Sequence, residues 1–262
     1  VLGLKADGSL VLMVNDGRQQ PVSSGMSINE LATMMIELGC TDVLNCDGGG
    51  SSTFITKREG SDKATIKNTP SDGAERPTLT GLLLISTAKP SGEFDHAALL
   101  PGNEIYTPGT EIRFTATGVD SGGYNVALPE DVTFTLSEDS AGMGAIDAAT
   151  GLFSAAADAE GIVTVQALRG GAVVGSTSIE LAKPDSIYFN TAEISLGFND
   201  STDFGVEVKN KGRDVNYKAG DLVWTLSDER LGTFDGNIFT SSEGESLNGT
   251  VTVSSAFDSS LT

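Results

Sequence analysis

The chain has 262 residues and a formal net charge of −20, from 16 basic and 36 acidic side chains, with 32 glycines and 6% aromatic residues. That much negative charge excludes nucleic acid or an anionic membrane surface as a charge-held partner, and no run of about 18 apolar residues is present to span a bilayer. The length predicts about two domains, and the glycine content predicts structure rich in strands and turns.

The charge is uneven. Residues 1–90 carry 8 basic and 10 acidic side chains, a net of −2, and residues 91–262 carry the remaining −18. The start Val1-Leu2-Gly3-Leu4 has no initiator methionine and none of the regions of a signal peptide, so the expectation is a piece of a longer polypeptide. Cys40 and Cys46 read as buried thiols rather than a disulfide, and two thiolates do not make a four-ligand metal site.

In chain order, Leu2–Leu4, Ala6–Ser9 and Leu10–Val14 read as a hairpin with an Asp-Gly turn. Leu10–Val14 is apolar throughout, which predicts a strand buried on both faces. Asn15-Asp16-Gly17-Arg18 closes the hairpin; Asp16 reads equally as a turn former or a site residue, and Arg18 as a solvated charge or a substrate contact. Ser27 followed by Glu30 forms a capping box for a helix with apolar residues at Ile28, Leu31, Ala32, Met35, Ile36 and Leu38, stopped by Gly39. A strand is expected over Val43–Cys46 and another over Thr53–Thr56.

Between those strands lies the stretch on which the functional reading turns, Asp47-Gly48-Gly49-Gly50-Ser51-Ser52-Thr53. Three glycines in succession are tolerated where the backbone needs positive φ or must admit something closely. Their amides can form a nest for an anion, with Ser51, Ser52 and Thr53 adding hydroxyl donors, and Asp47 stands where a carboxylate can act as acid, base, nucleophile or sugar ligand. The plain alternative is a glycine-rich turn beside a solvated aspartate. No Gly-Lys-Ser/Thr follows, so it is not a nucleotide phosphate loop. After a polar stretch from Lys57 to Asn68, the turn-forming segment Pro70–Pro77 gathers Ser71, Asp72, Glu75 and Arg76, and an apolar strand is expected over Leu82–Ile85. Thr87–Gly92 reads as a linker, and the only histidine, His96, is read as sitting in that linker.

Beyond the linker the chain repeats. Phe114, Asp131, Phe134, Leu136 and Ser137 are matched ninety residues later by Phe204, Asp221, Trp224, Leu226 and Ser227. Phe153 answers to Phe239, and Gly161, Val163 and Val165 answer to Gly249, Val251 and Val253. Alternating strands such as Val132–Leu136, spaced by Gly/Asp/Asn turns, predict a β-sandwich in each repeat. Ser176–Leu181, the closing strand of the first repeat, has no counterpart in the second, so continuation past Thr262 is expected. The predicted fold is multidomain: an α+β region over residues 1–87, then two all-β immunoglobulin-like sandwiches over 88–183 and 184–262.

The order Asp16-Gly17-Arg18, Ser24-Gly25-Met26-Ser27, Glu30-Leu31-Ala32, Leu38-Gly39, Asn45-Cys46-Asp47-Gly48-Gly49-Gly50-Ser51-Ser52-Thr53, Pro70-Ser71-Asp72-Gly73 and Glu75-Arg76-Pro77 resembles the C-terminal half of the phosphodiester glycosidase family. The resemblance covers about a third of the chain, while the repeats resemble bacterial Ig-like modules only generically. It implies hydrolysis of sugar 1-phosphodiesters by a secreted or cell-surface protein, with a glycan or sugar-phosphate substrate and the domain's N-terminal half as a missing partner. The carried-over positions are Asp47, Asp72 and Asp16 as catalytic carboxylates, with Gly48, Gly49, Gly50, Ser51, Ser52, Ser71, Arg76 and Arg18 as substrate contacts. Cys46 stands where that family usually has leucine. No cofactor and no metal site is expected. A phosphodiester leaving group is a weak base, so little general-acid help is needed, while an arginine fork and bare amides can neutralise its phosphate. The alternative is a non-catalytic carbohydrate-binding or adhesion protein built on the repeats. Calcium binding by the acidic repeats is not expected, because no EF-hand or tandem Asp-x-Asp spacing occurs.

Overall fold

A computed structural model describes residues 1–19, 23–61, 63–189, 193–244 and 246–262. The chain separates into two compact units: Val1–Ser91 with Gly122–Asn125, and Gly92–Ser121 with Val126–Thr262.

The first unit contains β1 (Leu2–Lys5), β2 (Leu10–Leu12), α1 (Ile28–Glu37), β3 (Cys40–Leu44), β4 (Ile55–Lys57) and β5 (Ala64–Ile66). β1 is the middle strand of an antiparallel sheet of order β2-β1-β3, and β4 pairs with β5 in a separate hairpin. The β1–β2 turn forms because Gly8 takes φ +86 and Asp7 Oδ1 accepts the Ser9 N–H at 2.9 Å. α1 starts on the predicted capping box: Ser27 Oγ accepts the Glu30 N–H, and Glu30 Oε2 accepts the Ser27 N–H at 2.7 Å. Gly3 has no side chain because a Cβ there would lie 2.4 Å from Met35 Cε and 2.5 Å from Cys40 Sγ. That contact brings together α1, β1 and the start of β3.

Several sequence expectations are corrected in this unit. β2 stops at Leu12 and is an outer strand with Leu10 about half exposed, so it is not buried on both faces. The strand expected at Val43–Cys46 runs instead from Cys40 to Leu44, and that at Thr53–Thr56 is displaced to Ile55–Lys57. Leu82–Ile85 forms no strand, and all four side chains are exposed: an apolar run becomes a strand only where a neighbour takes up its backbone bonds. Cys40 is buried but Cys46 is exposed, and both thiols are free. Met35, Cys40 and Pro70 are the buried apolar side chains of residues 1–91 among those described, while Ile28, Ile36, Val43 and Leu44 face solvent.

The second unit holds β6 (His96–Leu100), β7 (Ile105–Tyr106), β8 (Glu111–Arg113), β9 (Thr115–Val119), β10 (Asn125–Val126), β11 (Val132–Leu136), β12 (Gly144–Ile146), β13 (Leu152–Ala155), β14 (Gly161–Arg169) and β15 (Ala172–Leu181). Of these, Asn125 is grouped with the first unit. They are followed by β16 (Ser186–Phe189), β17 (Ser201–Asp203), β18 (Val206–Asn210), β19 (Arg213–Asn216), β20 (Leu222–Leu226), β21 (Gly232–Asp235), β22 (Ile238–Ser241) and β23 (Val251–Ser255). His96 therefore opens a strand rather than lying in a linker. The molecule is mostly β-sheet.

Some of the positions matched by sequence occupy matching places and others do not: Asp131 is exposed where Asp221 is buried, and Leu136 pairs with Val165 where Leu226 pairs with Val251, so the valine match is offset by two residues. Phe134 in β11 and Trp224 in β20 are mid-strand residues, and the three-stranded sheets β12-β13-β8 and β17-β22-β21 mirror one another. A Cβ on Gly144 would lie 2.3 Å from Ser154 O and 2.8 Å from the Phe153 ring, and one on Gly232 would lie 2.1 Å from Thr240 O and 2.7 Å from the Phe239 ring. Both glycines let a strand close over a buried phenylalanine. In the first repeat β14 is paired on both sides, by β11 and β15, whereas β23 is paired with β20 alone among the described strands.

One seven-stranded sheet, of order β11-β14-β15-β7-β19-β18-β16, runs through both repeats. Its centre is the two-residue β7, parallel to β15 on one side and to β19 on the other. One apolar core gathers Phe114, Phe153, Val163, Val165, Ile179 and Leu181; the other gathers Ile187, Val208, Val215, Leu222 and Val253 around Ile105 of β7. Beside it the buried Asp221 carboxylate accepts from Thr107 Oγ1 at 2.5 Å and from the Lys218 N–H at 3.0 Å.

Candidate functional site

The sheet of the first unit delivers the glycine stretch at the end of β3. Asp47 is exposed, and its Oδ1 accepts the adjacent Gly48 N–H at 2.9 Å. Gly49 takes φ +103, a left-handed conformation that favours glycine, and Ser52 N–H closes the turn on Gly49 O at 3.0 Å. Among the described residues, the amides of Gly49, Gly50 and Ser51 donate to no protein acceptor.

Gly50 is buried, and its lack of a side chain has a specific cause. A Cβ there would fall 1.8 Å from Asp72 Oδ1 and 2.2 Å from Asp72 Cγ. The Asp72 carboxylate thus lies against the bare backbone of the turn. Asp72 is ion-paired with Arg76, whose Nε donates to Asp72 Oδ2 at 2.8 Å and whose Nη2 donates to the same oxygen. The Pro70–Pro77 segment turns where expected, with Gly73 at φ +80 donating to Pro70 O at 2.9 Å. Arg has five N–H donors, so its fork keeps free donors for an anion while Asp72 holds its position.

Asp16 is drawn in from the opposite side of the sequence. Its Oδ1 accepts from Asn68 Nδ2 at 3.1 Å and its Oδ2 from the Thr69 N–H at 2.9 Å. The same turn is anchored by Ser23 Oγ, which donates to Asp16 O at 2.5 Å, and by Gln19 Nε2, which donates to Thr69 O at 2.5 Å. Gly17 permits close packing there, because a Cβ would lie 3.0 Å from Gly25 Cα. Asn68 also reaches the glycine stretch: its Nδ2 donates to Ser52 O at 2.9 Å and its Oδ1 accepts the Phe54 N–H at 2.6 Å.

The structure therefore brings together Asp16, Ser52 and Asn68 in one network, and Gly50, Asp72 and Arg76 in another, both meeting on the turn Gly48–Ser52. It does not join every expected residue to them. Asp47 bonds only its neighbour's amide, Arg18 is exposed at φ +59 with no ion pair, and Ser71 makes no hydrogen bond, each among the described residues. His96 lies in the second unit with Nδ1 2.9 Å from Asp95 Oδ2. No cluster of three His, Cys, Asp or Glu side chains with metal-ligating geometry occurs among the described residues. Asn68, Gln19 and Thr69 were not singled out in the sequence, where they close or flank polar stretches; Asn68 stands two residues before Pro70, the only local hint that it borders the site.

Residues 1–85 match the family model described as NAGPA, phosphodiester glycosidase. No curated protein matches the chain. Among solved structures, human protocadherin-24 EC1-2 is 11% identical, with 62% of this chain and 94% of that chain covered at a TM-score of 0.26. The surface layer protein SbsC is 15% identical in its domains 5-6, with 62% and 90% covered at a TM-score of 0.29. In the longer SbsC structure of domains 4-9, identity is 14% at a TM-score of 0.28, and this chain spans 29% of that one. Scores this low carry no argument about this chain.

Proposed function

We propose that residues 1–85 form part of a site that hydrolyses sugar 1-phosphodiesters in a secreted or surface-located protein. The observation that carries the reading is convergence: segments around residues 16, 50 and 72 meet on a turn whose Gly49–Ser51 amides are not used by the protein. The family match over the same residues supports it. The chemistry is economical. Water adds its oxygen to the anomeric carbon and gives up one proton to solvent or to the departing phosphate, the bond from that carbon to the phosphate oxygen breaks, and the phosphomonoester leaves with the electron pair. Arg76 and the free amides bind the phosphate, and the leaving group needs no proton to depart. In this reading Asp16, whose two carboxylate oxygens accept from N–H donors, orients water or steadies positive charge at the sugar, and Asp47 binds sugar hydroxyls. The apolar side chains left exposed on α1 and β3 support the expectation that this domain takes a further covering segment.

The test uses N-acetylglucosamine 1-(methyl phosphate) as probe. The amide resonances of Gly49, Gly50 and Ser51 should shift on its addition, and free sugar with methyl phosphate should appear. Asp16→Asn should lower kcat by about 10²–10⁴, with a smaller loss of melting temperature, because its amide nitrogen would face one of the two N–H donors that Asp16 now accepts from. Unshifted amides together with no sugar release would overturn the reading.

A second reading, a carbohydrate-binding or adhesion protein, is favoured by one observation: both large apolar cores lie in the repeats. It predicts that glycan binding by the chain survives substitution of Asp16 and Arg76.

A further inference from the structure

We infer that Asn68 is the positioning residue of this site, the single side chain that sets Asp16 against the glycine turn. The inference rests on the hydrolytic reading above for its effect on rate, and on geometry alone for its effect on structure.

The side-chain amide of Asn68 makes three hydrogen bonds to two segments distant from it in sequence, Ser52–Phe54 and Asp16. Its Oδ1 accepts the Phe54 N–H at 2.6 Å; its Nδ2 donates to Ser52 O at 2.9 Å and to Asp16 Oδ1 at 3.1 Å. The orientation of the amide is dictated by its partners, since one is a donor and two are acceptors, and a flipped amide would face like against like. The next residue completes the arrangement, because the Thr69 N–H donates to the other Asp16 oxygen at 2.9 Å. Asp16 thus has one oxygen fixed by a main-chain amide and the other by the same side chain that clamps both ends of the Ser52–Phe54 step. The three Asn68 bonds are partly buried, where a lost partner is costly because water does not fully replace it, while the Thr69 bond is exposed. Asn68 touches no reacting atom in this arrangement; it acts through Asp16 and Ser52. Asparagine is suited to the post because it both donates and accepts, whereas aspartate supplies only acceptors and alanine neither.

Two substitutions separate the bonds. Asn68→Asp keeps an acceptor for the Phe54 N–H and replaces the donor facing Asp16 with a carboxylate; Asn68→Ala removes both. Amide hydrogen exchange on the full chain, which needs no substrate, should show Phe54 and Thr69 losing protection by about tenfold or more in Asn68→Ala. In Asn68→Asp, Thr69 should lose protection while Phe54 keeps it. The β1–β3 amides should be unchanged in both. With N-acetylglucosamine 1-(methyl phosphate), both variants should lower kcat by about tenfold or more with KM within about threefold, the split expected when geometry rather than binding is lost. Thr69 protection that survives both substitutions, or a loss spread evenly over β1–β3, overturns the inference. If the wild-type chain neither binds nor turns over the probe while the exchange pattern appears as described, the hydrolytic reading falls and the positioning role of Asn68 stands.

Discussion

At the scale of single residues, the site is defined as much by an absent side chain as by the carboxylates. Gly50 is needed because Asp72 occupies the space where a Cβ would go. Gly50→Ala should therefore turn Asp72 away and uncouple it from Arg76. Since that pair is exposed and worth little to folding, the stability loss should be about 1 kcal/mol or less, while turnover of the sugar phosphodiester should fall by about tenfold or more. Thermal melting and a kinetic assay on one preparation check both; a large stability loss with unchanged turnover would show Gly50 to be a packing residue only. The sequence made Gly48–Gly50 visible as an anomaly, because three bare residues in succession need a reason. It could not say which glycine was indispensable, since the steric partner lies twenty-two residues on, across a separate loop. For the same reason Asn68 stayed hidden: its value lies in bonds to Asp16 and Ser52, 52 and 16 residues away, and nothing in its neighbours encodes them.

At the scale of elements, local signals proved readable and those needing a distant partner did not. The start of α1 was legible because Ser27 and Glu30 interact within one turn. That interaction has a pH signature. The hydrogen bond from the Ser27 backbone holds the Glu30 carboxyl below its ordinary value of 4.5. A depressed folded pKa means the cap contributes fully above the unfolded value near 4.5 and is lost as pH falls through the lower, folded one. Exchange at the first α1 amides should accelerate relative to the sheet as pH drops below that range, after correction for the intrinsic rate. Glu30→Gln, which keeps an acceptor but does not titrate, should abolish the change; persistence of the change in that variant would assign it elsewhere. By contrast Leu82–Ile85 has the composition of a strand but pairs with no described strand, and Leu10–Val14 has the composition of a strand buried on both faces, yet only Leu10–Leu12 is a strand and it ends the sheet. Apolar content says that a segment would gain from burial, not where the covering surface is.

At the scale of the whole molecule, the repeat was legible because aromatic residues such as Phe134 and Trp224, or Phe153 and Phe239, recur at nearly constant spacing at like positions in their strands, whereas the matched Gly161 and Gly249 have different surroundings. What the spacing hid is the sharing of β7. Ile105, 1% exposed, follows the first repeat's opening strand in sequence yet sits in the core gathered around the second. Ile105→Ala should cost about 2–5 kcal/mol and should convert one cooperative calorimetric transition of residues 92–262 into two. Two transitions already present in the wild type would show that the repeats fold independently.

The placement of β7 also changes what backbone continuity means here. Its bonds to β19 do not depend on the peptide segment Lys183–Asp185 that leads from β15 to β16. A proteolytic nick in that short connection would sever the covalent path and leave the two pieces clasped through Ile105, Tyr106 and the Thr107–Asp221 hydrogen bond, so damage at the joint need not become dissociation.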